Sequence, residues 1–365
     1  TARHWAVLLI AWRGWVFDIM DMFLLVLVKD AAMTDLLGPE RAGSVSSYGG
    51  WALGLTLIGW SLGGLIFGVV ADRWGRTRTM ALTILIYSIF TGLSGYSQTW
   101  WQLFLFRFIA ALGIGGEWGA GASMIAEVFP RKARAAGAGI LQSASAFGFF
   151  AAILLWRLVD GNWRYAFFAG AIPAFLALVV RMGLHEPETW VAVQQRAGSS
   201  RERLGSLAAV FSDRELRRRV LLGTSLALIG IFCYWATNFW ANRSLAGLLG
   251  KLNVPQELRS GYMTQGLTVM TFGNLAGFLT YIPLTERVGR RWAFFWFHLG
   301  SVIFMPVAFW FSDTYSSWLI LFFLAGAFTS GIYSGYTIYF PELFPTRVRA
   351  TGAGFCYNVA RVAAA

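Results

Sequence analysis

Ten apolar runs, at residues 5–28, 46–71, 79–97, 99–128, 133–158, 162–182, 219–242, 262–283, 291–311 and 315–340, are each long enough to cross a bilayer as a helix, and an eleventh begins near Ala350. Nothing else constrains the fold as much. Backbone in hydrocarbon must satisfy its own polar groups, so a chain with these runs has to be helical wherever it crosses. With 57% hydrophobic against 13% charged residues, the 365-residue chain is too apolar for a soluble protein, and an all-α polytopic membrane protein is expected.

The first run has no small-residue cleavage site and reads as a retained helix. Cys233 and Cys356 lie in apolar runs, which argues against a disulfide or a cysteine metal site. Most Lys and Arg fall in the loops after the even-numbered spans. The positive-inside rule therefore places the N-terminus and DRWGRTR, FPRKAR, ERVGRR and FPTRVR in the cytoplasm. The net charge of +12 then reflects topology and anionic lipid, not nucleic acid. With three His and no Ser/His/Asp or metal-ligand constellation, an enzyme is not expected.

Two motifs occur twice. GVVADRWGRTR (Gly68 to Arg78) is echoed by LTERVGRR (Leu284 to Arg291), so that Asp72, Arg73, Gly75 and Arg76 match Glu286, Arg287, Gly289 and Arg290. AEVFPRKARAAGAG (Ala126 to Gly139) is echoed by PELFPTRVRATGAG (Pro341 to Gly354), matching Glu127 and Arg134 with Glu342 and Arg349. The offset is 214 residues in one case and 215 in the other, so the chain is two copies of a six-helix unit, as in alternating-access transporters. An N-terminal bundle at 1–182, a polar cytoplasmic linker at 183–218 and a C-terminal bundle at 219–365 are expected. On this count the last one and a half of twelve helices are missing from the chain. Gly75 permits a tight turn and Asp72 accepts charge-assisted hydrogen bonds in one conformation only, which makes Asp72, Arg73, Gly75, Arg76, Glu127, Arg134, Glu286, Arg287, Arg290, Glu342 and Arg349 the candidates for a conformational latch.

Within the first span, GWVFDIMDMFLL carries Asp18 and Asp21. Each costs on the order of 2.5–3.5 kcal/mol at a helix centre, a cost that protonation or pairing removes. At i and i+3 they share one face, and two nearby carboxylates raise the pKa of one, as proton coupling requires. Arg107, in the fourth span, falls at nearly the same depth as Asp21, so a pair between them can form and break if both helices line the cavity. Permanent pairing with arginines is the bland alternative. Arg13 is one to two turns below Asp18. Glu117, among Gly113, Gly115, Gly116, Gly119 and Gly121, is either a packing residue or a second proton site, with Arg13 as a candidate contact. Asn358 and Arg361 sit at i and i+3 in the last run, and a guanidinium fork suits a carboxylate. Tyr234, Trp235, Asn238, Trp240, Gln265, Asn274, Tyr333, Thr337, Tyr339, Ser143 and Ser145 can add polar and aromatic lining, Gln142 and Tyr336 are the other residues favoured for the substrate, and His298 reads as structural.

GVVADRWGRTR and RFIAALGIGG (Arg107 to Gly116) resemble the signatures of the major facilitator superfamily, over essentially the whole chain. GWVFDIMDMFLL, GIGGEWG, EVFPRKARA and GAGFCYNVARV are similar to its sialate:proton and aromatic-acid:proton symporter families. The resemblance implies a fold of two six-helix bundles and proton-driven import of a small organic anion by a monomer without a cofactor, in the inner (cytoplasmic) membrane. It implies proton coupling on the first helix and substrate carboxylate binding at Arg361. Those families more often have an apolar residue at the position of Arg13. A drug or metabolite:proton antiporter of the same fold, or an anion sensor that does not transport, would share most of these features.

Overall fold

The computed structural model describes residues 2–181, 185–199 and 204–364. The expected bundle boundary at 182 and linker residues 183–184 and 200–203 lie outside them. Six long helices come first: α1 (Ala2–Leu37), α2 (Val45–Trp74), α3 (Arg76–Gly95), α4 (Trp100–Val128), α5 (Arg134–Leu158) and α6 (Trp163–Arg181). Two short ones, α7 (Glu188–Ser199) and α8 (Leu207–Ser212), lie in the linker, and α9 (Arg214–Lys251), α10 (Gln256–Trp310), α11 (Tyr315–Leu343) and α12 (Arg349–Ala364) follow. The described residues hold no strand.

Local chemistry sets several boundaries. Asp213 caps α9 by accepting from Glu215 N and Leu216 N, both at 2.9 Å, and Thr314 with Ser317 forms a capping box on α11. Gly75 takes φ 119°, a backbone that only glycine adopts freely, and turns α2 into α3. Its repeat partner Gly289, at φ 80°, breaks α10, which carries the eighth and ninth apolar runs end to end.

The helices pack as two groups, α1–α6 and α9–α12, joined where α2 meets α12 and α5 meets α10. Close approach is possible where side chains are absent. A Cβ at Gly115 of α4 would strike the Trp60 carbonyl of α2, and one at Gly64 of α2 would overlap the Asn358 amide of α12. The outer surface is apolar, with Trp51, Leu154, Leu221, Val302, Trp310 and Ile320 all exposed, the inverse of a soluble protein and suited to lipid. By length and composition, six helices among the described residues can cross a membrane, one of them the double α10. The first span is not in that set because it contains three ionisable residues, Arg13, Asp18 and Asp21.

Candidate functional site

Between the two groups lies a cavity of about 560 Å³, lined by α1, α5, α9 and α10. It is reached from the end where α1, α5 and α9 finish and α10 starts, through Leu27, Arg157, Asn242 and Ser260. Its walls are largely aromatic, including Phe23, Phe149, Trp156, Tyr234, Trp235 and Phe239. Amides, hydroxyls and Arg157 supply its polarity, and two of the amides are linked: Asn274 Nδ2 donates to Asn238 Oδ1 at 3.3 Å, and Asn238 Nδ2 to the Tyr234 carbonyl at 2.8 Å. Such a space takes a flat, partly apolar ligand held by a few directional polar groups.

Tyr234 packs on Tyr333 with ring centroids 4.5 Å apart, and Tyr333 meets Tyr357 edge-on at 5.9 Å. Behind this layer is Arg361, 2% exposed, with its guanidinium 3.8 Å from the Trp60 ring and 4.6 Å from Tyr357. Trp118 stacks on the far side of this group, 3.8 Å from Tyr357. Arg361 donates to Asn358 Oδ1 at 3.3 Å, and among the described residues no carboxylate pairs with it. Aromatic faces offset part of the cost of burying the charge but do not use its in-plane donors. Arg361 Nε, Trp60 Nε1, Trp118 Nε1 and the Tyr333 hydroxyl are all buried without a hydrogen-bond partner. One buried cation and four unused donors in one aromatic cluster form an environment complementary to an anion.

Gln142 and Ser145 connect this cluster to the cavity. Trp15 Nε1 donates to Ser145 Oγ at 3.0 Å, Gln142 Nε2 to the same oxygen at 3.4 Å, and Thr337 Oγ1 to Gln142 Oε1 at 3.2 Å. The last bond joins the two helix groups. Tyr336 adjoins the cluster from behind: it is fully buried, its ring lies 5.7 Å from that of Tyr333 and is stacked on Phe340, and its hydroxyl donates to the Leu226 carbonyl at 2.8 Å. Asn358 is buried beside Gly64. None of Gln142, Tyr336, Asn358 and Arg361 lines the cavity itself.

Asp21 and Arg107 are joined by two hydrogen bonds, Nη2 to Oδ2 at 2.5 Å and Nη1 to Oδ1 at 3.0 Å, and Thr91 Oγ1 donates to Oδ1 at 2.8 Å. Arg107 lies 5.2 Å from the Phe167 ring. The pair is therefore enclosed by α1, α3, α4 and α6 within the first helix group. The condition that α1 and α4 both line the cavity is met by α1 alone, through Met22, Phe23, Val26 and Leu27. Asp18 is fully buried and Glu117 is 2% exposed, next to Trp118. Arg13 is exposed, because five residues along a helix turn it about 140° from Asp18, so it does not share that face.

At the other end the groups are tied by charges. The Asp72 carboxylate accepts from Ala350 N at 3.2 Å, Thr351 N at 2.8 Å and Thr351 Oγ1 at 2.6 Å, capping the start of α12 where the helix dipole favours an anion. Arg76 lies 2.9 Å from Asp72, binds Glu127 through two nitrogens and donates to the Thr346 carbonyl. Arg349 Nη1 reaches Glu127 at 2.9 Å, and Arg134 lies 3.8 Å from Glu342. The repeat is visible here, since Arg290 grips Glu342 through the same two nitrogens as Arg76 grips Glu127. It also fails here. Glu286 and Arg287, expected in the latch, are exposed and make no ion pair among the described residues. Ala136 stands where the other half has Thr351, so the hydroxyl that serves Asp72 has no counterpart for Glu286. Arg73 donates from Nε to the Leu204 carbonyl at 3.1 Å, so it holds the linker.

Glu186 has a role that the sequence reading missed. Its carboxylate accepts from the backbone nitrogens of Arg76 at 2.7 Å, Thr77 at 3.2 Å and Arg78 at 3.1 Å, capping α3 from the linker, 110 residues away from Arg76. The available signal was that the cap position of α3 is Gly75, which has no side chain to accept from the first backbone nitrogens.

The profile described as "Major Facilitator Superfamily" matches residues 14–365. The chain is 30% identical over 367 residues to the cis,cis-muconate transport protein of Acinetobacter baylyi, covering 98% of this chain and 84% of that one. It is 28% identical to the sialic acid transporter NanX of Escherichia coli, covering 96% and 82% of the two chains. Among solved structures, the proton:xylose symporter XylE bound to 6-bromo-6-deoxy-D-glucose superposes with a TM-score of 0.82 at 18% identity, covering 99% of this chain and 86% of that one. The two matched helix groups, their repeated charged turns and this whole-chain similarity assign the protein to the major facilitator superfamily, whose members are multi-pass membrane transporters and not enzymes.

Proposed function

We propose that the protein is a monomeric symporter of the cell membrane that imports a small unsaturated or aromatic carboxylate with protons, by alternating access between halves spanning 1–182 and 219–365. The observation that carries this reading is Arg361, a buried cation with no carboxylate partner among the described residues, set between Trp60 and Tyr357 behind an aromatic cavity. The muconate and sialic acid transporters among its relatives support an organic acid as the cargo. In this reading the N-terminus and the latch are cytoplasmic, and the cavity faces outward.

The cycle has three parts. A proton from outside adds to the Asp21 carboxylate and ends its pairing with Arg107, with Asp18 and Glu117 as further protonatable groups in the same half. The substrate carboxylate passes the Tyr234 and Tyr333 layer to Arg361, meeting Asn358 and Gln142. The neutralised centre then allows the halves to rock, the Asp72 cap on α12 parts, and cargo and proton leave on the cytoplasmic side.

Proteoliposome uptake of cis,cis-muconate, nicotinate, benzoate and sialate under an imposed inward proton gradient tests this. Gradient-driven accumulation of at least one is expected. Arg361→Gln should raise its half-saturating concentration at least tenfold, equivalent to about 1.4 kcal/mol. An unaltered value would sink the carboxylate role, and uptake opposed by the inward gradient would point to antiport.

A further inference from the structure

The cavity has a charge of its own that the Arg361 reading does not use. Arg157, in the last turn of α5, is the one Asp, Glu, Lys or Arg side chain among the residues lining the cavity, and it is exposed at the mouth. Among the described residues no acid pairs with it. Asn242 and Ser260, both exposed, face the same mouth from α9 and α10, and Trp156 adds an aromatic wall.

We infer that Arg157, with Asn242 and Ser260, forms an outer carboxylate-capture site that loads the Arg361 site; this rests on the reading of Arg361 given above. Arg157 is 12 residues beyond Ser145 on the same helix, a rise of about 18 Å. Ser145 accepts from Gln142 and from Trp15, whose ring lies 6.3 Å from Trp60 of the Arg361 cluster. That rise exceeds the length of any small carboxylate, and it exceeds the Debye length of about 8 Å at physiological salt. The two arginines therefore act in turn, not together. Between them the cavity offers Asn238 and the buried Trp235 Nε1, which has no acceptor. Trp235 is seven residues below Asn242 on α9, about 10 Å deeper, so donors recur along the descent. A guanidinium at a low-dielectric mouth raises the local concentration of anions and repels cations. A fixed fork also orients a carboxylate end-on into the shaft.

A cation at a helix C-terminus also stabilises the helix dipole, and the test separates this from capture. In proteoliposomes at about 20 mM salt, Arg157→Gln is expected to raise the half-saturating concentration for the transported acid about fivefold and to flatten its dependence on salt, while Arg157→Lys restores both. A purely structural role would lower the melting temperature and leave the salt dependence alone. Titration of purified protein with benzoate reads the site without transport: Arg157→Gln should weaken its salt-sensitive binding by a similar factor. Benzoate binding that is absent, or equal in wild type and Arg157→Gln, overturns the capture site. If Arg361→Gln abolishes uptake while Arg157→Gln changes neither affinity nor salt dependence, this inference fails and the Arg361 reading stands. Unaltered uptake in Arg361→Gln removes that reading instead.

Discussion

Asp21 and Arg107 are each nearly inaccessible, and each is tolerated in the interior because the partner offsets its charge. Removing one member of such a pair leaves an ion uncompensated. Arg107→Ala is expected to lower stability by about 3–5 kcal/mol, and adding Asp21→Ala should recover most of the loss, as measured by thermal unfolding in detergent and a double-mutant cycle. The two effects simply adding would mean the pair is not coupled. Asp21→Asn, which imitates the protonated acid, is expected to abolish accumulation driven by a proton gradient and to retain counterflow of the transported acid. These two residues were legible from the cost of an ion in an apolar run and from counting helix depth. Their enclosure within the first helix group was not, because depth along a helix says nothing about which neighbour its face meets.

At the scale of helices, the two repeats resemble each other closely yet are not equally engaged. Asp72 caps α12 and Glu286 is left in the open, and one chemical difference between the two sites is a hydroxyl, Thr351 against Ala136. Thr351→Val and Asp72→Asn should therefore each loosen the joint between α2 and α12. Losing a buried charge-assisted hydrogen bond costs on the order of 1.5–3 kcal/mol, enough to shift a two-state population more than tenfold. The measurement is alkylation of a cysteine placed at Ala350, fully buried beside Asp72, which should accelerate in the Asp72→Asn background. An unchanged rate would remove Asp72 from the latch. Which helices exist, where they break and which charged turns repeat could be read from composition and from the matching of DRWGR with ERVGR and of FPRKAR with FPTRVR. That α3 starts without a capping side chain of its own could be read as well, but not that Glu186, 110 residues from Arg76, supplies the cap, since backbone nitrogens do not name their acceptor.

Over the whole molecule, one end is knit shut by ion pairs and the other holds an open cavity, so its two ends should differ in chemical reactivity. A cysteine at Ser260, exposed at the mouth, should react with an impermeant thiol reagent applied from outside, and saturating substrate should slow that reaction as the mouth closes. Equal reactivity from both faces would contradict an outward-facing state. On the cavity wall, Tyr234, Trp235, Asn238, Asn274 and Ser145 stand out in the sequence as polar or aromatic positions on apolar helices, whereas the favoured Tyr336 and Asn358 are buried outside the cavity. Polar residues on an apolar helix are conspicuous, but whether they face a cavity or a neighbouring helix depends on how the two halves meet, a relation that no single span encodes.

The linker is tied to both sides of this closed end: Glu186 holds α3, Trp190 Nε1 donates to the Asp72 carbonyl, and Gly205 N donates to the Arg347 carbonyl across the divide. A segment stitched to two moving bodies is pulled free of one of them whenever they part. Its susceptibility to a protease is thus a clock for the transport cycle. Trypsin cleavage at Arg196 should quicken while cargo and a proton gradient keep the carrier turning over, and slow again when the gradient collapses.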